Sequence, residues 1–524
     1  MGIPSYYKKL CDRIPGLLQK RIDGQKPSHL WIDFNCMIYH CLHRPDAKPY
    51  TGEETRIEWE NQFILDICKY LKKIVKLVDP TEQVFVGVDG VVPMAKIRQQ
   101  RLRRFKSFWV AEEEKRLGKS CDGERWDTNA ITPGTAFMER LGAALKAIPS
   151  SATLKWIVST AEEPGEGEHK AMNGIRSCSN KKCHVIYGLD ADLIILSLLQ
   201  PVEKMWLFRE EVFEGKVKYS DDKQECYTYF GIHSLRDYLC HKKDDKYLLD
   251  YCMTMSFVGN DFLPHGLSLK LKDGAHDILL DLLKTVRPKN GPFIEVGSEG
   301  RLQWKPSALK ACLEYFATNE ERWIEAACEK KIRGRHMAAK GETSLEIALD
   351  EWNKIPLRAS EELAIVCKNG DGGWKLLNSW KSIYNERWLK INPAVAGIQY
   401  LTGLDWILQY YTGNAVNTEW CYPWFVPPLW SDLLTVFQNT VKAPEPTEKQ
   451  LKPQEQLAIV LPLQSWWLIR DKELKKLPRV APQLWPSKFD LFTPGRTMTW
   501  ECEAQIPLFF PKRLRYLVSQ GNSQ

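Results

Sequence analysis

The sequence predicts an α/β fold, with a mainly parallel central sheet flanked by helices, then a helical connector and a second α+β segment packed on the first. Three observations predict it. Short apolar, β-branched runs alternate with amphipathic stretches through the first half, each run is closed by a carboxylate, and the second half turns helical and then rich in aromatics and prolines.

Leu30-Trp31-Ile32 is the first run, ending at Asp33, and the stretch from Trp59 to Val78 has helical periodicity. Val84 to Val88 is the second run and leads to Asp89; Pro93 then stands where a proline opens a helix. Ala136 to Ile148 is again helical, and Leu154 to Ser159 precedes a Gly-rich turn carrying Glu166-Gly167-Glu168. Val185 to Leu189 leads to Asp190-Ala191-Asp192, and Phe257-Val258-Gly259-Asn260, taken as a fifth strand-like run, leads to Asp261. These units define a domain over 1–285. Residues 286–375 form the connector, with helices expected at Ala308 to Phe316 and Arg322 to Lys331 and a flexible turn at Asn369 to Gly373. The remaining segment, 376–524, holds many of the 20 tryptophans, and Ala443 to Gln456 reads as an exposed loop.

Parallel strands present their carboxyl ends to one crevice, so seven acids converge: Asp33, Asp89, Glu166, Glu168, Asp190, Asp192 and Asp261. Like charges about 4 Å apart repel by about 4 kcal/mol at an effective dielectric near 20, so a cation must sit among them. A lone Asp after a strand can be a helix cap, but the two acid-x-acid pairs exceed what a cap requires. Hard oxygen ligands without His or Cys partners suit two Mg²⁺ or Mn²⁺ ions, the clamp used for in-line phosphodiester displacement.

Beyond Pro93, Lys96, Gln100, Arg103 and Arg104 fall at i, i+4, i+7 and i+8 and share a helical face, while Arg98 and Arg101 point elsewhere. The face starts seven residues after Asp89. Its donors make a pocket for a terminal phosphate beside the acids.

The remaining composition excludes several classes. Apolar content of 44% and charged content of 27% are those of a globular protein, and no apolar run reaches the length of a membrane span. The start lacks a signal peptide's apolar stretch, so the expected location is intracellular, cytoplasmic ahead of nuclear, without membrane association. Fifteen scattered cysteines without a Cys-x-x-Cys read as reduced thiols, and a net charge of +7 does not by itself announce a nucleic-acid binder.

Together these residues resemble the Xrn family of 5′-to-3′ exoribonucleases, a branch of the PIN/flap-endonuclease-like nucleases. The likeness rests on Met1-Gly2-Ile3-Pro4, Asp33-Phe34-Asn35, Asp89-Gly90 with the basic helix, Pro164 to Lys170, Gly188 to Leu193 and Gly259 to Pro264. Gly403 to Trp406, Tyr410 to Gly413 and Trp420 to Pro423 extend it into the far segment. The resemblance implies a processive, Mg²⁺-dependent 5′-to-3′ exoribonuclease, monomeric, acting on single-stranded RNA with a 5′ monophosphate. It also implies that the seven acids bind metal, that Lys96, Gln100, Arg103 and Arg104 bind the 5′ phosphate, and that Trp420 lines the site. Where the family has a base-stacking His, this chain has Tyr39 with His40 beside it. The chain ends near the close of the second conserved region, as in a compact form. Two rival readings are a structure-specific 5′ flap DNA nuclease and a non-catalytic RNA-binding scaffold.

Overall fold

The structure, a computed structural model, describes residues 6–521 except 23, 120–122, 151, 180, 189, 214–215, 241–243, 298, 371, 439–441 and 448. The Met1 to Pro4 motif, Leu189 and Asp371 lie outside the described residues.

Seven strands make the main sheet: β1 (Leu18–Gln19), β2 (His29–Asp33), β3 (Gln83–Gly87), β4 (Lys155–Ser159), β5 (Cys183–Tyr187), β6 (Lys204–Glu210) and β7 (Tyr227–Gly231). Their order is β1-β7-β6-β5-β2-β3-β4. The five strands from β6 to β4 run parallel, and β7 pairs antiparallel with both β6 and β1. β2 and β5 are buried along their length, as strands covered on both faces by helices must be.

The chain moves from β2 outward through β3 to β4, then jumps back across the sheet to β5 on the other side of β2. Crossovers on the two sides of that point diverge and leave a crevice at the carboxyl ends, where ligands bind in open α/β sheets. Asp33 pairs in register with Gly87, and Ile32 with Tyr187, so the ends of β2, β3 and β5 are nearly flush at that crevice.

The expected helices form as Arg56–Val78, Met94–Arg116 and Ala136–Lys146. Three expectations change. The run before Asp261 is no strand: Met255–Val258 is a 3₁₀ turn continuing the helix Asp245–Thr254. So short an apolar run does not distinguish a strand from a buried helix end. The two connector helices are one, Pro306–Gly334; its mid-point Glu320 is buried and accepts the backbone N–H groups of Trp430 and Ser431 at 2.6 and 3.2 Å. The stretch expected as an exposed loop ends in a helix, Pro453–Val460, whose Gln456 is fully buried against the basic helix.

The principal hydrophobic core is continuous from Tyr6 to Leu514 and draws on all three sequence segments. No helix among the described residues is long and apolar enough to cross a membrane.

Candidate metal centre

Asp33 occupies the N-cap position of the helix Phe34–Leu42, yet its side chain makes no cap hydrogen bond, and the same holds for Glu166 before the helix Gly167–Arg176. The capping explanation for these carboxylates therefore fails locally. Asp89 instead accepts the N–H of Gly167 at 2.7 Å, tying the loop after β3 to the start of that helix. Such close approach requires glycine: a Cβ on Gly167 would stand 2.4 Å from the Gly87 carbonyl oxygen and 3.1 Å from an Asp33 carboxylate oxygen. Asp190 follows β5, and Asp192 is the first residue of the helix Asp192–Leu198, with its Oδ1 buried and unpartnered. Asp261 arrives differently, through Gly259 at φ +84° and a turn in which Asn260 Oδ1 accepts the N–H groups of Phe262 and Leu263, both at 2.9 Å.

Among the described residues, one side-chain cation makes ion pairs with this group. Lys96, in the first turn of the basic helix, places Nζ 2.5 Å from Glu166 Oε2 and 2.7 Å from Asp261 Oδ2. Burial opposes its charge, but Asp261, Glu166 and Glu168 more than offset that and hold its pKa well above the usual lysine value. Burial pushes Asp261 up, but the positive charges around it, Lys96 foremost and Arg103 among them, together hold it below the usual carboxylate range.

Asp33, Glu168, Asp89 and Asp192 move the other way, although Lys96 opposes the shift in each. Burial first, then Asp89 and Asp190, push Asp33 far up; burial and Glu166 do the same to Glu168. Burial also raises Asp89, against the Gly167 N–H, and burial with Asp261 brings Asp192 up to about 7. Buried carboxylates that resist ionisation together, one with an orphaned oxygen, are a donor set that divalent cations satisfy.

Beside the oxygen donors expected from the sequence stands a histidine. Ligand atoms of Glu166, Glu168 and His169 lie within 4.8 Å of one another. Burial lowers His169 to about 4, leaving a neutral imidazole able to coordinate. The residue stands in plain view in the sequence, but its spacing from the two glutamates matches no histidine metal motif.

The basic helix divides its cations. Arg98 donates to the carbonyls of Pro423 and Trp424 at 3.3 and 3.2 Å, and buried Arg101 donates to those of Ile459 and Leu484, so both face the second segment rather than the crevice. On the other face Arg104 donates to Thr132 Oγ1 at 2.6 Å; burial lowers it to about 10, with the nearby Tyr39 hydroxyl opposing. Arg103 is half-buried and makes no ion pair among the described residues. Gln100 is 8% exposed and faces Gln456. Tyr39 is 37% exposed, with its ring available. Trp420 is only 7% exposed: it packs on Trp406 with ring centroids 5.4 Å apart, fills the space left by Gly403, and donates to Gln399.

Tyr410, on the helix Pro393–Thr412, belongs to a motif that carries the family likeness but was not among the expected site residues. Its hydroxyl donates to Glu166 Oε1 at 2.7 Å, and its ring lies 4.0 Å from that of His169. It fixes the glutamate from a segment 244 residues away. Hydrogen bonds to charged groups contribute about 1.5–3 kcal/mol, so Tyr410→Phe is expected to lower kcat about tenfold or more. KM should change little; an unchanged kcat would remove Tyr410 from the machinery.

Comparison with known proteins agrees with this geometry. Residues 1–211 match the model described as the XRN 5′-3′ exonuclease N-terminus, and residues 241–355 and 366–521 match that described as the Xrn1 helical domain. The chain is similar to the 5′-3′ exoribonuclease 1 of Homo sapiens, at 29% identity over 98% of this chain and 34% of the human protein. It is also similar to the 5′-3′ exoribonuclease 1 of Schizosaccharomyces pombe, at 28% over 98% and 48%, and the 5′-3′ exoribonuclease 2 of Arabidopsis thaliana, at 26% over 99% and 67%. The chain thus spans about a third to two thirds of the length of these relatives.

Proposed function

Because the chain belongs to the XRN 5′-3′ exonuclease family, we propose that it hydrolyses single-stranded RNA bearing a 5′ monophosphate, one nucleotide at a time from the 5′ end. The observation that carries this reading is the meeting of seven acids with the first turn of the basic helix, where Lys96 bridges Glu166 and Asp261. Asp33, Asp89, Glu166, Glu168, Asp190, Asp192 and Asp261 would hold two Mg²⁺ or Mn²⁺ ions, which when bound supply Lewis-acid charge and an activated water at the scissile phosphate.

The chain's own residues set the substrate's position. Gln100 lies about one turn and Arg103 and Arg104 about two turns further along the helix than Lys96, and together they grip a terminal phosphate while the next phosphate lies at the acids. That ruler releases a mononucleotide and leaves a new 5′-phosphorylated end. Tyr39 offers an exposed ring on which a base stacks. Burial around Arg104 raises the strength of its phosphate contact.

The test uses uniformly labelled, 5′-monophosphorylated single-stranded RNA with Mg²⁺, with and without chelator. Mononucleotides accumulating from the outset, only with the cation, support the reading. Cutting at DNA flaps or binding without cleavage overturns it. Arg104→Ala is expected to reduce the preference for 5′-monophosphate over 5′-hydroxyl RNA by about tenfold, the value of one charge-assisted contact. An equal loss on both ends would separate Arg104 from the phosphate pocket.

A further inference from the structure

Beside the acids, on the Gln99–Arg103 side of the basic helix, lies a cavity of 230 Å³ that touches Asp261 at one end. Six cations line it: Arg98, Arg103, Lys106, Lys270, Lys272 and Arg496. Only three carboxylates do, those of Asp261, Glu501 and Glu503, and Asp261 is already paired with Lys96. Lys272 pairs with Glu501 at 2.5 Å, but among the described residues none of the other five cations makes an ion pair within 4.0 Å.

Their hydrogen bonds go to uncharged groups. Lys106 donates to the carbonyls of Trp500 and Cys502 at 2.8 and 2.6 Å, and Lys270 to that of Gly495. Arg496 is 4% exposed; one of its terminal nitrogens faces the His265 ring at 2.6 Å, and its Nε is buried without a partner. Burial, with Arg496 adding to it, pushes Lys270 down to about 8, and burial then Arg496 hold His265 well below its ordinary value. Glu503 acts on Lys106 and Glu362 on Lys270, yet six cations against three carboxylates leave an excess of positive charge in the lining that an anion relieves. Trp500 also lines the cavity and is 54% exposed.

We propose that this cavity is a phosphate-monoester site, neighbouring the 5′-phosphate pocket but separate from Arg104, that receives the mononucleotide after cleavage, with Arg496 on the phosphate and Trp500 beside the base. The product's identity rests on the proposed exonuclease reading; the anion site itself rests on the cavity. A buried guanidinium that makes no ion pair among the described residues suits a phosphate dianion, and Asp261 is among the residues lining the cavity, which places it next to the acids where a nucleotide is released.

The test is calorimetric titration of the full-length chain with AMP, adenosine and inorganic phosphate in chelator, where the acids hold no metal. AMP is expected to bind and adenosine not to. Arg496→Gln should weaken AMP at least tenfold, whereas Arg104→Ala should leave this binding within about twofold. Trp500→Ala, at an exposed position that spares the fold, should weaken AMP about tenfold and leave inorganic phosphate unchanged. Inorganic phosphate binding as tightly as AMP, unaffected by Trp500→Ala, would assign the site to free phosphate and overturn the product role. AMP binding that survives Arg496→Gln but falls with Arg104→Ala would overturn the site altogether. RNA digestion measured in parallel keeps the two readings separate: digestion with no Arg496-dependent AMP binding sinks this site alone, and AMP binding without digestion sinks only the exonuclease reading.

Discussion

Asp192→Asn is expected to slow nucleotide release about 10³-fold while making the metal-free protein more stable at neutral pH. The activity loss follows from removing a carboxylate with an unpartnered oxygen in the acid cluster. Charge stabilisation by a bound cation is worth several kcal/mol, and about 4 kcal/mol corresponds to about 10³-fold in rate. The stability gain follows from burial and Asp261, which raise the folded-state pKa of Asp192 to about 7.

The folded protein therefore holds this proton more tightly than the unfolded chain does. Between the ordinary Asp value, about 4, and about 7, the unfolded chain gives up its proton first, and stability falls as pH rises. Asparagine carries no such charge. In chelator, the melting temperatures of variant and wild type should coincide below about pH 4, with the variant's advantage fully developed above about pH 7. Mn²⁺ should then stabilise the wild type more than the variant. A gap independent of pH, or a variant of undiminished activity, would refute the role given to Asp192.

Lys96→Met is expected to have the opposite effect on stability. The lysine is the one side-chain cation seen between Glu166 and Asp261, all three side chains being largely buried. Breaking a buried ion pair by removing one partner costs about 3–5 kcal/mol, because the remaining charge stays unpaired. Chemical denaturation in chelator should show a loss of that order. Added Mn²⁺ should recover most of it, since a divalent ion replaces the missing charge, whereas cleavage stays impaired because Lys96 also borders the phosphate pocket. Stability that Mn²⁺ does not restore would mean that Lys96 serves packing rather than charge balance.

The legible part of the site was the part written in local pattern. Asp33, Asp89 and Asp190-Ala191-Asp192 follow apolar runs that became β2, β3 and β5, and the aligned ends of those strands bring the acids to one crevice. The divided faces of the basic helix were readable too, because 100° per residue fixes which side chains share a side; Arg98 and Arg101 do turn away from the crevice. Asp261 was found for a partly mistaken reason, since its run forms a helical turn rather than a strand. Trp420, expected from family likeness alone to line the site, is largely buried and packs on Trp406, whose ring in turn stacks on that of Tyr410.

By itself the sequence determined the alternation of strands and helices, the placing of carboxylates at strand ends and the angular spread of charge on the basic helix, because each depends on residues within a few turns of one another. Only the tertiary structure decided that Lys96 meets an acid 165 residues away, that Tyr410 clips Glu166 across 244, and that His169 joins the acids. Those contacts depend on how distant elements pack around the crossover between β2 and β5, and no local periodicity encodes the distance between two side chains brought together by the core.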